Sequence, residues 1–157
     1  MAKYAVIRLD RVSATKDPGM IKSVKLNKEL QNGSVVEIKD LVEGEREVYA
    51  TATPAVDTEY FGILCTPELM YDEKKTIQEF VNGTDKPAKA ILVKKGDFFS
   101  LTMEGFSAKP TKGQIVELQA NEVLKVVDAA TAGSTQVGTI EDIETINGIT
   151  FYGVEVR

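Results

Sequence analysis

The chain has no histidine and no tryptophan, and it has one cysteine in 157 residues. Without histidine it lacks the commonest general base and the commonest transition-metal ligand. With a single thiol, Cys65, it can form no internal disulfide, and a zinc site built within one chain is excluded in practice. No run approaches the eighteen or so apolar residues that a membrane helix needs. The first ten residues hold only a short apolar patch broken by Arg8, so no secretory signal is expected. Aromatics make up 7% of the chain.

What is present is the composition of a folded protein, 43% hydrophobic and 27% charged, long enough to bury one core. The charge is uneven. Residues 1–32 carry seven Lys/Arg and three Asp/Glu, within a chain that holds 19 of the former and 24 of the latter. The acidic remainder argues against nucleic acid as a partner, because phosphate neutralisation needs clustered cations. The basic stretch reads either as an arm suited to an acidic partner surface, with Lys3, Arg8, Arg11 and Lys16 as its contacts, or as an ordinary solvated strand pair. Residues 33–157 read as one β domain.

Within that domain the sequence echoes itself. Gly33-Ser-Val-Val-Glu-Ile38 returns as Gly113-Gln-Ile-Val-Glu-Leu118, Val48–Ala52 as Val126–Ala130, and Phe61-Gly-Ile-Leu64 as Val137-Gly-Thr-Ile140. The two stretches, 33–64 and 113–140, each predict a glycine turn and three strands. Alternation predicts further strands over Lys3–Val12, Ala88–Val93 and Phe98–Met103. Over Met20–Leu30 neither the strand nor the helix period prevails. Asn147-Gly148, between two β-branched runs, is the strongest hairpin signal in the chain. Asn32-Gly33 and Asn82-Gly83 open glycosylation sequons, which turns alone explain. Thr66, Pro67 and Glu68 suit a helix start, so one short helix is expected at about 67–81. The fold class expected is mainly β: a compact sandwich, tulip or barrel with at most that helix and an N-terminal arm.

Chemistry finds few footholds. Ser100 and Ser107 lie near lysines, but nothing in the spacing selects a nucleophile and its base. Glu141, Asp142 and Glu144, like Asp72 and Glu73, read as solvated rims rather than acid–base pairs or a calcium loop. Phe98, Phe99 and Phe106 near lysines weakly suggest a base-stacking face. No enzyme activity, metal or cofactor is expected. Cys65 reads as a buried, inert thiol.

The stretches Met70-Tyr-Asp-Glu-Lys-Lys, Ile77-Gln-Glu-Phe80, Lys86–Val93, Lys95-Gly-Asp-Phe-Phe-Ser-Leu-Thr102 and Lys112–Leu118, with Val137-Gly-Thr-Ile140, resemble a family of small structural proteins encoded in the head-gene regions of tailed bacteriophages. The likeness spans about residues 60–156. It implies a capsid decoration, or cement, protein of β-sandwich or β-tulip type, made in the bacterial host cytoplasm and seated on the virion exterior. The implied partner is the major capsid protein, with self-association as a dimer or trimer. The rival readings are another virion β module, in a head fibre or the tail, and a small-ligand or carbohydrate-binding β domain. If the basic arm is the anchor, deleting residues 2–16 is expected to abolish capsid binding and leave the body folded.

Overall fold

A computed structural model describes residues 3–68 and 76–157. Eleven strands form two sheets among these residues. The first five of them to form a unit are β2 (Ile21–Lys25), β3 (Val35–Leu41), β4 (Val48–Ala52), β5 (Phe61–Leu64) and β6 (Ala88–Ile91), closed into a barrel in the order β2-β4-β3-β5-β6. The second sheet contains β7 (Phe98–Thr102), β8 (Ile115–Gln119), β9 (Asn121–Val127), β10 (Gln136–Ile146) and β11 (Ile149–Val156), with β1 (Ile7–Arg11) added at its margin. Its order is β1-β7-β11-β10-β8-β9. The chain is thus mainly β, as its patterning predicts, with no long helix among the described residues.

The two units repeat one wiring. In the barrel β3 pairs antiparallel with β4 and β5, β5 with β6, and β6 with β2. In the open sheet β8 pairs antiparallel with β9 and β10, β10 with β11, and β11 with β7. The echoed residues hold matching places. Val36 faces Gly62, and Val116 faces Gly138. The Gly33 and Gly113 amides each donate, at 2.8 Å, to the carbonyls of Leu64 and Ile140 respectively. The parallel pairing of β2 with β4 that closes the barrel has a remnant in the other unit, one parallel bridge between Phe106 and Leu124.

One part of the sequence echo does not correspond. Glu37 lies opposite Ala52, whereas Glu117 lies opposite Lys125. The second strand of the second unit therefore runs over Asn121–Val127, earlier than the Val126–Ala130 match implies, and Asp128–Ala130 lie in the loop beyond it. Two runs of small and β-branched residues look alike without being equivalent.

Strand alternation sorts the core into two layers, because successive side chains leave a strand on opposite faces. Val24, Leu26, Val36, Leu64, Ala88 and Ala90 form a cluster drawn entirely from the barrel and its continuation, and fill its interior. Their neighbours Val35, Ile63 and Ile91 turn outward and join Phe99, Leu101, Val116, Leu118, Ile140 and Val154 in the larger cluster beneath the open sheet. The barrel wall is thus one side of the main core, and the two units share it. Polar ties reinforce the junction: the Thr135 amide donates to the Val56 carbonyl at 2.7 Å, and the Thr53 hydroxyl bonds Glu122 at 2.7 Å.

Residues 1–32, read as an arm or a strand pair, supply one strand to each unit. β1 pairs antiparallel with β7, from Ile7 opposite Leu101 to Arg11 opposite Phe98. Ala5, Val6, Ile7, Val12 and Ala14 are buried. The stretch containing the four candidate contacts is therefore part of the folded body. Of the helix expected at 67–81, residues 69–75 lie outside the described residues, and Pro67 and Glu68 at its start are not helical. Its far end is a single 3-10 turn, Ile77–Glu79, with the Thr76 amide donating to the Glu79 carboxylate at 2.8 Å.

Candidate functional site

The four candidate cations do not form one cluster. Arg8 projects from β1, where it bonds Asp10 at 2.8 Å and Glu144 of β10 at 2.9 Å. Its guanidinium carbon lies 4.9 Å from the Phe151 ring centre. The Glu144 hydrogen bond is the main influence that raises its pKa; burial opposes this, and Asp10 adds to the rise. Arg8 thus braces the sheet margin against the projecting β10–β11 hairpin. Arg11, exposed at the end of β1, borders a shallow groove with Asp10, Gly96, Phe98 and Glu155. Lys16 is exposed just beyond the 3-10 turn Ser13–Thr15. Lys3 lines a different groove, with Tyr4, Glu29 and Glu122. Lys3, Arg11 and Lys16 are exposed, and Arg8 is half-buried.

The Gly-Asp-aromatic turn has a structural role here. Asp97 is 4% exposed. One of its oxygens, Oδ1, accepts from the Ser13 amide at 3.1 Å and the Ser13 hydroxyl at 2.7 Å, while Oδ2 accepts from the Lys94 amide at 3.0 Å. It clips the segment after β1 to the loop before β7. Hydrogen bonds to a charged acceptor are among the stronger ones, and a buried donor left alone costs its desolvation. Asp97→Ala should lower unfolding free energy by about 3 kcal/mol, read from denaturant midpoints; a change within the range of surface substitutions would remove this clip from the account.

The aromatic face weakly suggested by Phe98, Phe99 and Phe106 is not assembled. Phe99 is fully buried, Phe106 is buried edge-on against Tyr152 with ring centres 6.0 Å apart, and Phe98 is half-buried. These rings are core, and an exposed stacking platform needs the opposite placement. Of the acidic runs, Glu141 pairs with Arg157 at 2.7 Å and Glu144 with Arg8; Asp72 and Glu73 lie outside the described residues. Ser100 is buried and donates to Asp10 at 2.6 Å. No group of three metal-ligating side chains occurs among the described residues, and none of the described helices is long and apolar enough to cross a membrane.

Two buried asparagines escape sequence reading. Asn32 sits in a turn, but Asn82, where a turn is expected, instead bridges the Leu30 backbone antiparallel, and the two are 1% and 4% exposed. Asn82 Nδ2 donates to Asn32 Oδ1 at 3.0 Å, and Asn32 exchanges bonds with the Thr66 backbone at 2.8 and 3.0 Å. Their side-chain amides close polar gaps in the barrel wall, so neither sequon presents its asparagine. Glu117 is likewise fully buried. Its Oε2 accepts from the Thr131 amide, and its Oε1 faces Lys125 Nζ at 3.6 Å. Its sequence counterpart Glu37 is half-buried and pairs with Lys39.

Cys65 is half-buried, and burial, aided by Glu68, pushes its thiol from 9.0 to about 11. Only the thiolate alkylates, so two pKa units leave roughly a hundredfold less of it at pH 8. Native protein should react with iodoacetamide on the order of 100-fold more slowly than unfolded protein; equal rates in a stopped alkylation series would contradict that environment.

Comparison with protein families, with curated proteins and with solved structures finds no match.

Proposed function

We propose that this is a non-enzymatic virion protein that binds the outer surface of a bacteriophage capsid and stabilises or decorates it. The observation that carries the reading is the doubled β body. Two units of like wiring are fused through one core, and the residues of the recognisable turns and strands are spent on building it. A protein of this kind serves by presenting a rigid surface, and many copies on a symmetric shell gain avidity from individually weak contacts. The resemblance of residues 60–156 to head decoration proteins supplies the partner, the major capsid protein.

Arg11 and Lys16 are the proposed contacts beside the sheet margin. Both are exposed, so reversing them leaves the core intact. Arg11→Glu with Lys16→Glu should weaken shell binding at least tenfold in cosedimentation while the unfolding midpoint stays put. Unchanged binding would move the footprint elsewhere. Fluorescently labelled protein should coat heads; labelling confined to tails would replace this reading with that of a tail module.

A further inference from the structure

A groove on the barrel is separate from the sheet margin and carries a charge opposite to that of the chain as a whole. It lies where β2 begins and the loop before β4 leaves it, with a volume of about 540 Å³. Lys22, Arg46 and Lys89 line it against one carboxylate, Glu47, in a chain where Asp and Glu outnumber Lys and Arg. Pro18, Ile21 and Tyr49 complete the lining, and Ile21 is 40% exposed.

Two of the three cations are held by neutral partners. Lys89 Nζ donates to Ser23 Oγ at 2.6 Å, and Lys22 Nζ stands 5.4 Å from the Tyr49 ring centre. No described carboxylate lies within ion-pair distance of Lys22, Arg46 or Lys89. A lysine pinned by a carboxylate has its charge answered. One pinned by a hydroxyl or a ring is oriented but still has full charge to offer. Part of the ordering cost of binding an anion is then already met, and like-charged walls raise the local potential that draws one in.

The shape of the site selects among anions. A phosphate cradle uses several converging backbone N–H groups at a glycine loop or helix start. This groove is walled by side chains of β2, β4 and β6 and of the segments that precede β2 and β4. Separated cations alternate with apolar surface from Pro18, Ile21 and Tyr49. That arrangement fits an extended chain whose carboxylates are interspersed with apolar side chains.

We propose that the groove bounded by Lys22, Arg46 and Lys89 is a docking site for an acidic, extended peptide segment of a protein partner. The inference concerns the groove alone and does not depend on the partner being a capsid. The probe is a fluorescein-labelled ten-residue peptide of glutamates interspersed with leucines, titrated with the full chain at low salt. Anisotropy should rise saturably, and amide shifts should move at Ile21, Lys22 and Tyr49. Lys22→Ala, Arg46→Ala and Lys89→Ala combined should weaken binding at least tenfold. The control combination Lys94→Ala, Lys95→Ala and Lys112→Ala removes the same charge from exposed sites elsewhere and should change it less than threefold. Equal losses in the two triple variants, shifts confined to other surfaces, or no saturable binding would each overturn the proposal. So would displacement of the peptide by inorganic phosphate at an ionic strength where chloride leaves it bound, because that result marks a phosphate site. The wild-type shift map needs no variant and decides the matter if a triple variant fails to fold.

Discussion

A chain lacking residues 2–16 should fail to fold cooperatively. β1 is hydrogen-bonded to β7 from Ile7 to Arg11, and its loss exposes the flank of a strand whose Phe99 and Leu101 are fully buried. Val6, Ile7 and Val12 are themselves buried at 5%, 8% and 5% exposure. At about 1.5–3 kcal/mol for each such side chain, the direct loss is roughly 5–9 kcal/mol. That is comparable with the whole stability of an ordinary domain, about 5–15 kcal/mol. The clip from Ser13 to Asp97 is lost as well, leaving Asp97 buried without two of its three donors. Circular dichroism during denaturant titration should show no cooperative transition, or a midpoint far below that of the full chain. A truncated protein with an unchanged midpoint would show that β1 is the dispensable arm that its charge suggests. Loss of shell binding on truncation therefore cannot identify an anchor, and only exposed single residues can.

The second large effect separates two glycines at matching positions. A methyl added at Gly138 would run into the Glu155 backbone, its carbonyl oxygen first and its carbonyl carbon at 2.8 Å. Backbone in the middle of a paired strand cannot swing aside, so Gly138→Ala should cost 3 kcal/mol or more, at or beyond the upper end of about 1–3 kcal/mol for overpacking. At Gly62 the same methyl meets the Ala90 methyl at 2.9 Å and the tip of Ile38 at 3.1 Å, with backbone no nearer than 3.4 Å. Ile38 can rotate away, but the Ala90 methyl moves only with its strand, so Gly62→Ala should cost about 2 kcal/mol, less than a collision with backbone oxygen. Denaturant midpoints of the two variants give the order directly. If Gly62→Ala proves the more damaging, the close approach of β10 to β11 is wrongly placed.

These glycines also show what the sequence makes visible. Asn147-Gly148 reads as a hairpin and is one, with both residues at positive φ, 50° and 78°, the conformation that a tight two-residue turn requires. The strands from Phe98 and from Ile149 show in their β-branched and aromatic alternation, because both help form the shared core. β2 is hidden. Of its five residues only Val24 is buried, and the two lysines fall on opposite faces, Lys22 on the face of Val24, so no alternation shows. Its parallel partner β4 lies more than twenty residues away, beyond any local pattern. Asn32 looks like a turn residue and is one, whereas Asn82 looks like one and is instead bridged, backbone to backbone, to Leu30. Their burial depends on each other across fifty positions, which no spacing rule reports. The basic stretch misleads for a related reason: its charges alternate with the apolar residues that fix it in the sheet. Charge marks the outer face of β1 and says nothing of whether the strand is bound.

Adding purified protein to expanded capsids of tailed bacteriophages, and imaging the shells by electron cryomicroscopy, tests the proposed function most directly. The account predicts extra density at regular, symmetry-related positions on the outer surface, each fitted by the five-stranded barrel fused to the six-stranded sheet, and absent when Arg11 and Lys16 are reversed in charge. Bare shells at saturating protein, with the full chain folded, would contradict it.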